Sequence, residues 1–268
     1  GQTPLRPLQS GTHRELKNLS DFSPYLPDAV IASEDTRFYW HFGVDPIGIL
    51  RAIVVNLTAN DVRQGASTLT QQLARSLYPD YVGRDNTLKR KIHEMIVALK
   101  LETFYSKDRL LLTYLNRVYL GVGSYGFEDA AQFYFNQSAS DLNLSETATL
   151  VAILPAPNAY NPVQDYETAV KLRDRVINRM AKLGMVTAEQ AQRARRSRIE
   201  VSPKAKQNFS QIRAPYFYNH VLAELRELLG SELAAEGNFI VETALDLDLQ
   251  QQAETSLREN LNNQGSYY

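Results

Sequence analysis

The 268-residue chain contains no cysteine, which excludes disulfides, a thiolate nucleophile and cysteine-ligated zinc while leaving the redox compartment open. Excess charge is missing as well. With 29 basic and 30 acidic residues the formal net charge is −1, so no bulk field recruits nucleic acid or an anionic membrane, and anion recognition must be local. Residues 1–19 lack an apolar run, so neither a signal peptide nor a membrane anchor is read there. The apolar stretch Pro46–Leu57 is interrupted by Arg51 and stops well short of the ~20 residues a membrane span requires, though its length suits a dip into a bilayer surface or a plain core helix. Internal repeats and low-complexity segments are absent. What is present is material for a core: 44% hydrophobic and 22% charged residues describe a globular chain of one large or two small domains.

From Pro27 onward Gly and Pro fall mostly between periodic segments, which predicts a mainly α fold. After a turn at Gly65, Thr68-Leu69-Thr70-Gln71 matches a capping box. Leu69, Leu73 and Leu77 then form an inward stripe, and Gln71 and Arg75 share a donor-rich face one turn apart. Leu88, Ile92, Met95 or Ile96, and Leu99 mark the next helix, with Arg90 and Glu94 as i, i+4 neighbours. Further helices are expected at Asp108–Val118, Phe127–Phe135, Leu144–Leu154, Tyr166–Leu183 and Thr187–Arg196, the last opened by another capping box. Beyond Ile199 the character changes to a polar stretch (Ser202–Arg213), a helix from about Tyr216 to Ala235, and Phe239–Thr243 alternating like a strand. The expected organisation is a lead-in (1–26), a helical domain (27–199) and a small α/β linker region (200–268).

Glu34 and Asp35 precede the aromatic run Phe38-Tyr39-Trp40-His41-Phe42. A carboxylate beside aromatics is raised in pKa by desolvation toward use as a general base, while the same pair also reads as a helix cap followed by core aromatics. Glu34, His41 and Asp45 make a weak metal signal, because one histidine and scattered acids do not define a cage. Ser67, Thr68, Gln71, Gln72 and Arg75 offer hydroxyl, amide and guanidinium groups suited to a sugar or phosphate, and equally to a solvated helix face. Arg90, Lys91 and Glu94 taken alone read as surface pairs worth a few tenths of a kcal/mol.

The order of segments adds what no single one carries. Glu34-Asp-x-x-Phe38-x-x-His41-x-Gly-x-Asp45, Gly65-Ala-Ser-Thr-Leu-Thr-Gln-Gln-Leu-Ala-Arg75, Arg90-Lys-x-x-Glu94, Lys107 through Tyr114-Leu-Asn116 with Gly121 to Ala131, and Leu144–Pro155 with Tyr160-Asn161-Pro162 appear in sequence. In this the chain resembles the family 51 glycosyltransferases, the polymerase domains of class A penicillin-binding proteins, over about residues 27–185. The resemblance implies a lysozyme-like domain with a larger head and a smaller membrane-facing lobe, to which Pro46–Leu57 would belong. The implied reaction polymerises lipid II into β-1,4 glycan strands on the outer face of the cytoplasmic membrane, with undecaprenyl diphosphate as leaving group. By motif position Glu34 and Glu94 are the catalytic acids, supported by Asp35, Phe38 and His41. Ser67, Thr68, Gln71, Gln72, Arg75, Arg90, Lys91, Asn116 and Arg173 are the implied substrate-binding set, with Arg75 standing where the family commonly has Lys.

No cofactor is required by the resemblance, and Mg²⁺ has a place at the diphosphate in some relatives. The implied partners are lipid II, the nascent strand, the membrane surface and cell-wall synthesis proteins, with no nucleic acid. Val241–Glu254 resembles the segment leading into a transpeptidase domain, yet Ser-x-x-Lys and Lys-Thr-Gly do not occur, so acyl transfer is absent from this chain and a piece of a longer, membrane-anchored protein is expected. Two rivals stay open: a lysozyme-like glycan-cleaving enzyme, for which the cationic set would have no partner, and a non-catalytic glycan- or membrane-partner-binding module.

Overall fold

A computed structural model describes residues 13–51, 67–83, 87–121, 124–157, 160–163, 165–211, 214–229 and 241–264. Thr12–Ala205 forms one compact unit, and the chain from Lys206 onward belongs to a second.

The first unit is helical. After a 3₁₀ turn at Leu19–Asp21 come α1 (Leu26–Glu34), α2 (Leu69–Leu77), α3 (Pro79–Val82), α4 (Leu88–Phe104), α5 (Lys107–Arg117), α6 (Gly126–Phe135), α7 (Leu144–Ile153), α8 (Tyr166–Lys182) and α9 (Ala188–Arg196). Side chains fix most of the starts. Thr68, Thr87, Ser106, Asn143, Asp165 and Thr187 each accept a backbone N–H of the first turn, worth about 1 kcal/mol apiece. Both expected capping boxes, at Thr68 and Thr187, are formed.

At the centre lies α7, in which every residue but Glu146 is buried, as expected of a helix apolar on all sides. It packs on α8, and α1 lies against both. The α1 residues Leu26, Ala29, Val30 and Ala32 have no exposed surface, and Arg179 of α8 donates to the Ala32 carbonyl. A second group forms where α2 packs on α4 and α5, with α6 linking α5 to α7. The α5–α6 crossing requires Gly126: a Cβ there would lie 2.2 Å from the Asn116 carbonyl oxygen. Gly43, at φ +74°, similarly seats the loop after α1 on α4, where a Cβ would meet the Ala98 carbonyl at 2.8 Å. The C-terminus of α1 comes beside the N-terminus of α2, where Asp35 accepts from Leu69 N.

The structure departs from expectation in two places, and on α4, where the expected helix forms, it shows which face is inner. The apolar stripe on α4 faces outward: Leu88, Ile92, Ile96 and Leu99 are exposed, while Glu94, Val97, Ala98, Leu101 and Glu102 are buried. Two acids with partners occupy the inner face of this helix. The polar stretch from Ser202 contains a helix, α10 (Pro203–Gln211), opened by Ser202, whose hydroxyl accepts from Ala205 N at 3.0 Å and donates to the Phe133 carbonyl at 3.1 Å. Its buried cap and the proline at its first position outweighed polar composition.

The second unit holds α11 (Pro215–Leu229) and α12 (Leu247–Gln264). The second departure is here: Val241–Thr243 form no strand, and the next helix is opened by Asp246, which accepts from Asp248 N and Leu249 N. Among the described residues the only β contacts are the isolated bridges Phe42 to Val44 and Tyr119 to Tyr125. Residues 46–51 are helical; the remainder of Pro46–Leu57, the Gly65 turn, residues 230–235 of the expected helix, and Phe239 and Ile240 lie outside the described residues. Among the described residues no helix is long and apolar enough to cross a membrane.

Candidate active site

Glu34 is the last residue of α1. Its Oε2 accepts from Gln72 Nε2 at 3.0 Å and its Oε1 lies 3.5 Å from Ser33 Oγ. Burial pushes its pKa above the ordinary 4.5; the Gln72 and Ser33 bonds pull back and the neighbouring Asp35 charge adds to the rise. No cation within salt-bridge distance neutralises this carboxylate among the described residues.

Asp35 does different work despite being adjacent. Its Oδ2 accepts from Leu69 N at 3.0 Å, at the first residue of α2, and from His41 Nε2 at 2.9 Å, with both side chains about 95% buried. A carboxylate at a helix N-terminus is favoured by the exposed N–H groups and dipole there, so Asp35 pins α2 to α1. Phe38 is 1% exposed, stacked edge-on against Tyr39 and His41 and capped by Lys107 Nζ 4.4 Å above its ring. Lys107 bonds Glu102 at 2.8 Å, and Glu102 also accepts from Thr70 at 2.6 Å. This buried acid–base pair under α2 was missed by the sequence reading. Its signal was two opposite charges flanking the α4–α5 break.

The cationic group gathers around Glu94, which is fully buried on α4. Lys91 Nζ donates to Glu94 Oε2 at 2.6 Å and to Ser67 Oγ at 2.6 Å, while Arg90 Nε and Arg75 Nη1 lie 3.5 and 3.6 Å from Oε1. Arg75 and Lys91 alone set two positive charges against one acid, and both remain more than a third exposed. Helix α2 connects the two halves, since Gln72 reaches Glu34 and Arg75, one turn further on, reaches Glu94.

Thr68 and Gln71 are spent on the start of α2. Gln71 is 1% exposed, its Oε1 accepts from Thr68 N at 3.0 Å, and Thr68 Oγ1 accepts from Gln71 N while donating to the Gly43 carbonyl at 2.7 Å. Two expected site residues are not brought to the group. Asn116 exchanges two bonds with the backbone of Leu16, at 2.9 and 2.8 Å, which ties the lead-in to α5. Arg173, 1% exposed, directs its guanidinium to Ser145 Oγ, the Ser197 and Arg195 carbonyls and Asp174. It has no donor left for a ligand at the Glu94 group.

A half-buried carboxylate of raised pKa, held apart from a cluster with surplus positive charge, suits transfer between a hydroxyl and an anionic leaving group. The chain belongs to the transglycosylase family, whose model matches residues 2–181. It is similar to Penicillin-binding protein 1A of Aquifex aeolicus (strain VF5), 41% identical over 237 residues, which are 88% of this chain and 32% of that protein. It is likewise similar to Penicillin-binding protein 1A of Neisseria flavescens, 40% identical over 257 residues, 95% of this chain and 32% of that one. The chain thus spans about a third of the length of the curated relatives it matches. A crystal structure of Penicillin-Binding Protein 1A from Haemophilus influenzae aligns over 83% of this chain and 22% of that one, at 22% identity and TM-score 0.41.

Proposed function

We propose that this chain is a peptidoglycan glycosyltransferase that polymerises lipid II into β-1,4 glycan strands with release of undecaprenyl diphosphate, acting at the outer face of the cytoplasmic membrane. Residues 27–199 carry the activity, and 200–268 lead toward a transpeptidase domain of the longer protein. The observation that carries the reading is the division of labour along α2, with a base-competent Glu34 at one end and a cationic cluster at the other.

In this reading Glu34 takes the proton of the acceptor sugar's 4-hydroxyl as the oxygen attacks the donor's anomeric carbon. The bond from that carbon to the diphosphate breaks with inversion, and negative charge grows on the departing oxygens. Arg75, Arg90 and Lys91 meet that charge, and Ser67, bonded to Lys91, lies in reach of the sugar-diphosphate. Such electrostatic stabilisation is worth about 3–4 kcal/mol per well-placed donor. Glu94 holds the cations in one place before substrate arrives, so little reorganisation is needed. Exposed Trp40, Ile47, Leu50 and Leu99 support a membrane-surface docking face that would let the lipid chain stay in the bilayer.

Mg²⁺ at the diphosphate finds little support in the acid side chains present. Glu94 faces three cations and Asp35 is committed to His41 and Leu69 N, and among the described residues no group of three His, Asp or Glu is placed to hold one ion. In this reading the side-chain cations supply counter-charge, and any Mg²⁺ would be held chiefly by the diphosphate oxygens themselves. The lytic reading is disfavoured because hydrolysis of a neutral glycosidic bond gives the cations nothing to stabilise.

The test is glycan-chain formation from purified lipid-linked disaccharide in detergent, comparing the parent with Glu34→Gln. Polymer from the parent, lost in the variant, supports the reading. Glycan shortening points to the lytic enzyme, and binding without turnover, unchanged in Glu34→Gln, points to a binding module.

A further inference from the structure

Tyr114, on α5, is 4% exposed and its hydroxyl lies 3.2 Å from Gln72 Oε1. Gln72 Nε2 in turn lies 3.0 Å from Glu34 Oε2. Three helices therefore contribute one residue each to a hydrogen-bond chain ending on the proposed base. Its direction follows from chemistry. An ionised carboxylate only accepts, so the amide must present its NH₂ to Glu34. That leaves the amide oxygen toward Tyr114, whose O–H must donate. If the amide turned over, its oxygen would face the carboxylate and its NH₂ the phenol, a poor match while Glu34 is charged.

We propose that Tyr114 is a positioning residue for the base: it locks the Gln72 amide in the orientation that donates to Glu34 and so keeps Glu34 able to accept a proton. The inference rests on the reading of Glu34 as the base and assigns a role that the motif residues themselves do not reveal. Tyr114 is suited to a fixed donor, because burial and the nearby Glu34 charge raise its pKa, with Arg75 opposing, and the phenol stays protonated throughout the working range. The groups acting on Glu34 are Ser33 and Asp35 beside it in the chain and Gln72 on α2, and its charge is felt in turn by Tyr114 on α5, on which Arg75 of α2 acts in the opposite sense. Of these, Ser33 and Gln72 donate to it, and the Ser33 bond at 3.5 Å is the weaker. Gln72 thus provides the main hydrogen-bond stabilisation of the charged form, and among the described residues only Tyr114 bonds the amide oxygen and so fixes which end of the amide does so.

Tyr114→Phe removes one oxygen from a buried ring and preserves its shape. The primary readout needs no turnover: the Glu34 carboxyl is followed by ¹³C NMR titration in the parent, Tyr114→Phe, Gln72→Leu and the double variant, with Glu34→Gln identifying the resonance and thermal melts confirming folding. The expected result is a Glu34 midpoint higher by roughly 0.5–1 pH unit in Tyr114→Phe, higher still in Gln72→Leu, and no further rise in the double variant, since Tyr114 acts through Gln72. In polymerisation assays the acid limb of kcat moves up by the same interval while KM holds. An unchanged midpoint in Tyr114→Phe, or additive shifts in the double variant, overturns the proposal. If the parent makes no polymer while the midpoints move as expected, the functional reading fails and the positioning of Glu34 by Tyr114 stands.

Discussion

Glu34 is kept ionisable at a cost to the fold. Its raised pKa means that stability is fully present below the ordinary carboxyl value and is lost as pH rises through the higher folded-state value. At neutral pH the charged Glu34 therefore destabilises the native state, as functional groups often do. Glu34→Gln, which keeps the amide-compatible shape, is expected to raise the melting temperature at pH 7 while lowering kcat by roughly 10²–10⁴-fold; calorimetry and glycan-chain assays on the same preparation read both. Glu94 predicts the opposite balance. Removing its charge with Glu94→Gln leaves Lys91, Arg75 and Arg90 repelling one another around a fully buried amide, so stability should fall by roughly 1–3 kcal/mol, measured by urea denaturation. Both acids were legible in the sequence as motif positions. Their different duties were not, because whether a carboxylate meets cations or only amides is decided by which helices cross, and i, i+4 spacing does not report that.

Element α2 shows how local chemistry serves the site. Its capping box was readable from Thr68 and Gln71 alone, but the sequence gives no sign that Thr68 also donates to the Gly43 carbonyl or that Asp35 accepts the N–H of Leu69. Those long-range bonds turn a helix start into a joint between α1, α2 and the Gly43 loop. Thr68→Ala is expected to cost about 1–2 kcal/mol and, by loosening the helix that carries Gln72 and Arg75, to lower kcat/KM as well; thermal melts and initial rates check the two effects. On α4 the expected helix formed, but its spacing did not report the inner face, which partnered Glu94 and Glu102 took while the aliphatic stripe was left outside. The lead-in offers a pH-dependent element. His13 is bonded to Asp129 at 2.7 Å, with Glu15 adding attraction and burial and Arg117 opposing, and its pKa is raised above 6.5. The contact is therefore fully stabilising below pH 6.5 and is lost as pH rises through the higher folded value. Amide exchange at Leu16, corrected for intrinsic rates, should accelerate across that window, and Asp129→Asn should flatten the response.

At the scale of the whole molecule, charge balance and apolar exposure determine how the protein meets its surroundings. With a formal net charge of −1 there is little long-range attraction to an anionic bilayer, so the proposed membrane-docking face would have to work through apolar contact. The residues proposed for it are exposed, Trp40 at 89%, Ile47 at 63% and Leu50 at 64%, with Trp40, Phe42, Ile47 and Leu99 lining one shallow cleft beside the Arg37–Asp45 ion pair. Contiguous apolar exposure of this kind marks an interaction surface. Because Trp40 is the only tryptophan in the chain, its fluorescence reports on this face alone. Its emission is expected to shift to the blue on vesicles of zwitterionic lipid and to keep that shift at high salt, since screening weakens only charge-driven binding. Ile47→Asp with Leu50→Asp should weaken the association roughly tenfold or more and leave Glu34 titrating as in the parent. A shift that appears only on anionic vesicles and vanishes with salt would instead assign the contact to the cationic cluster, and the apolar face would need another partner.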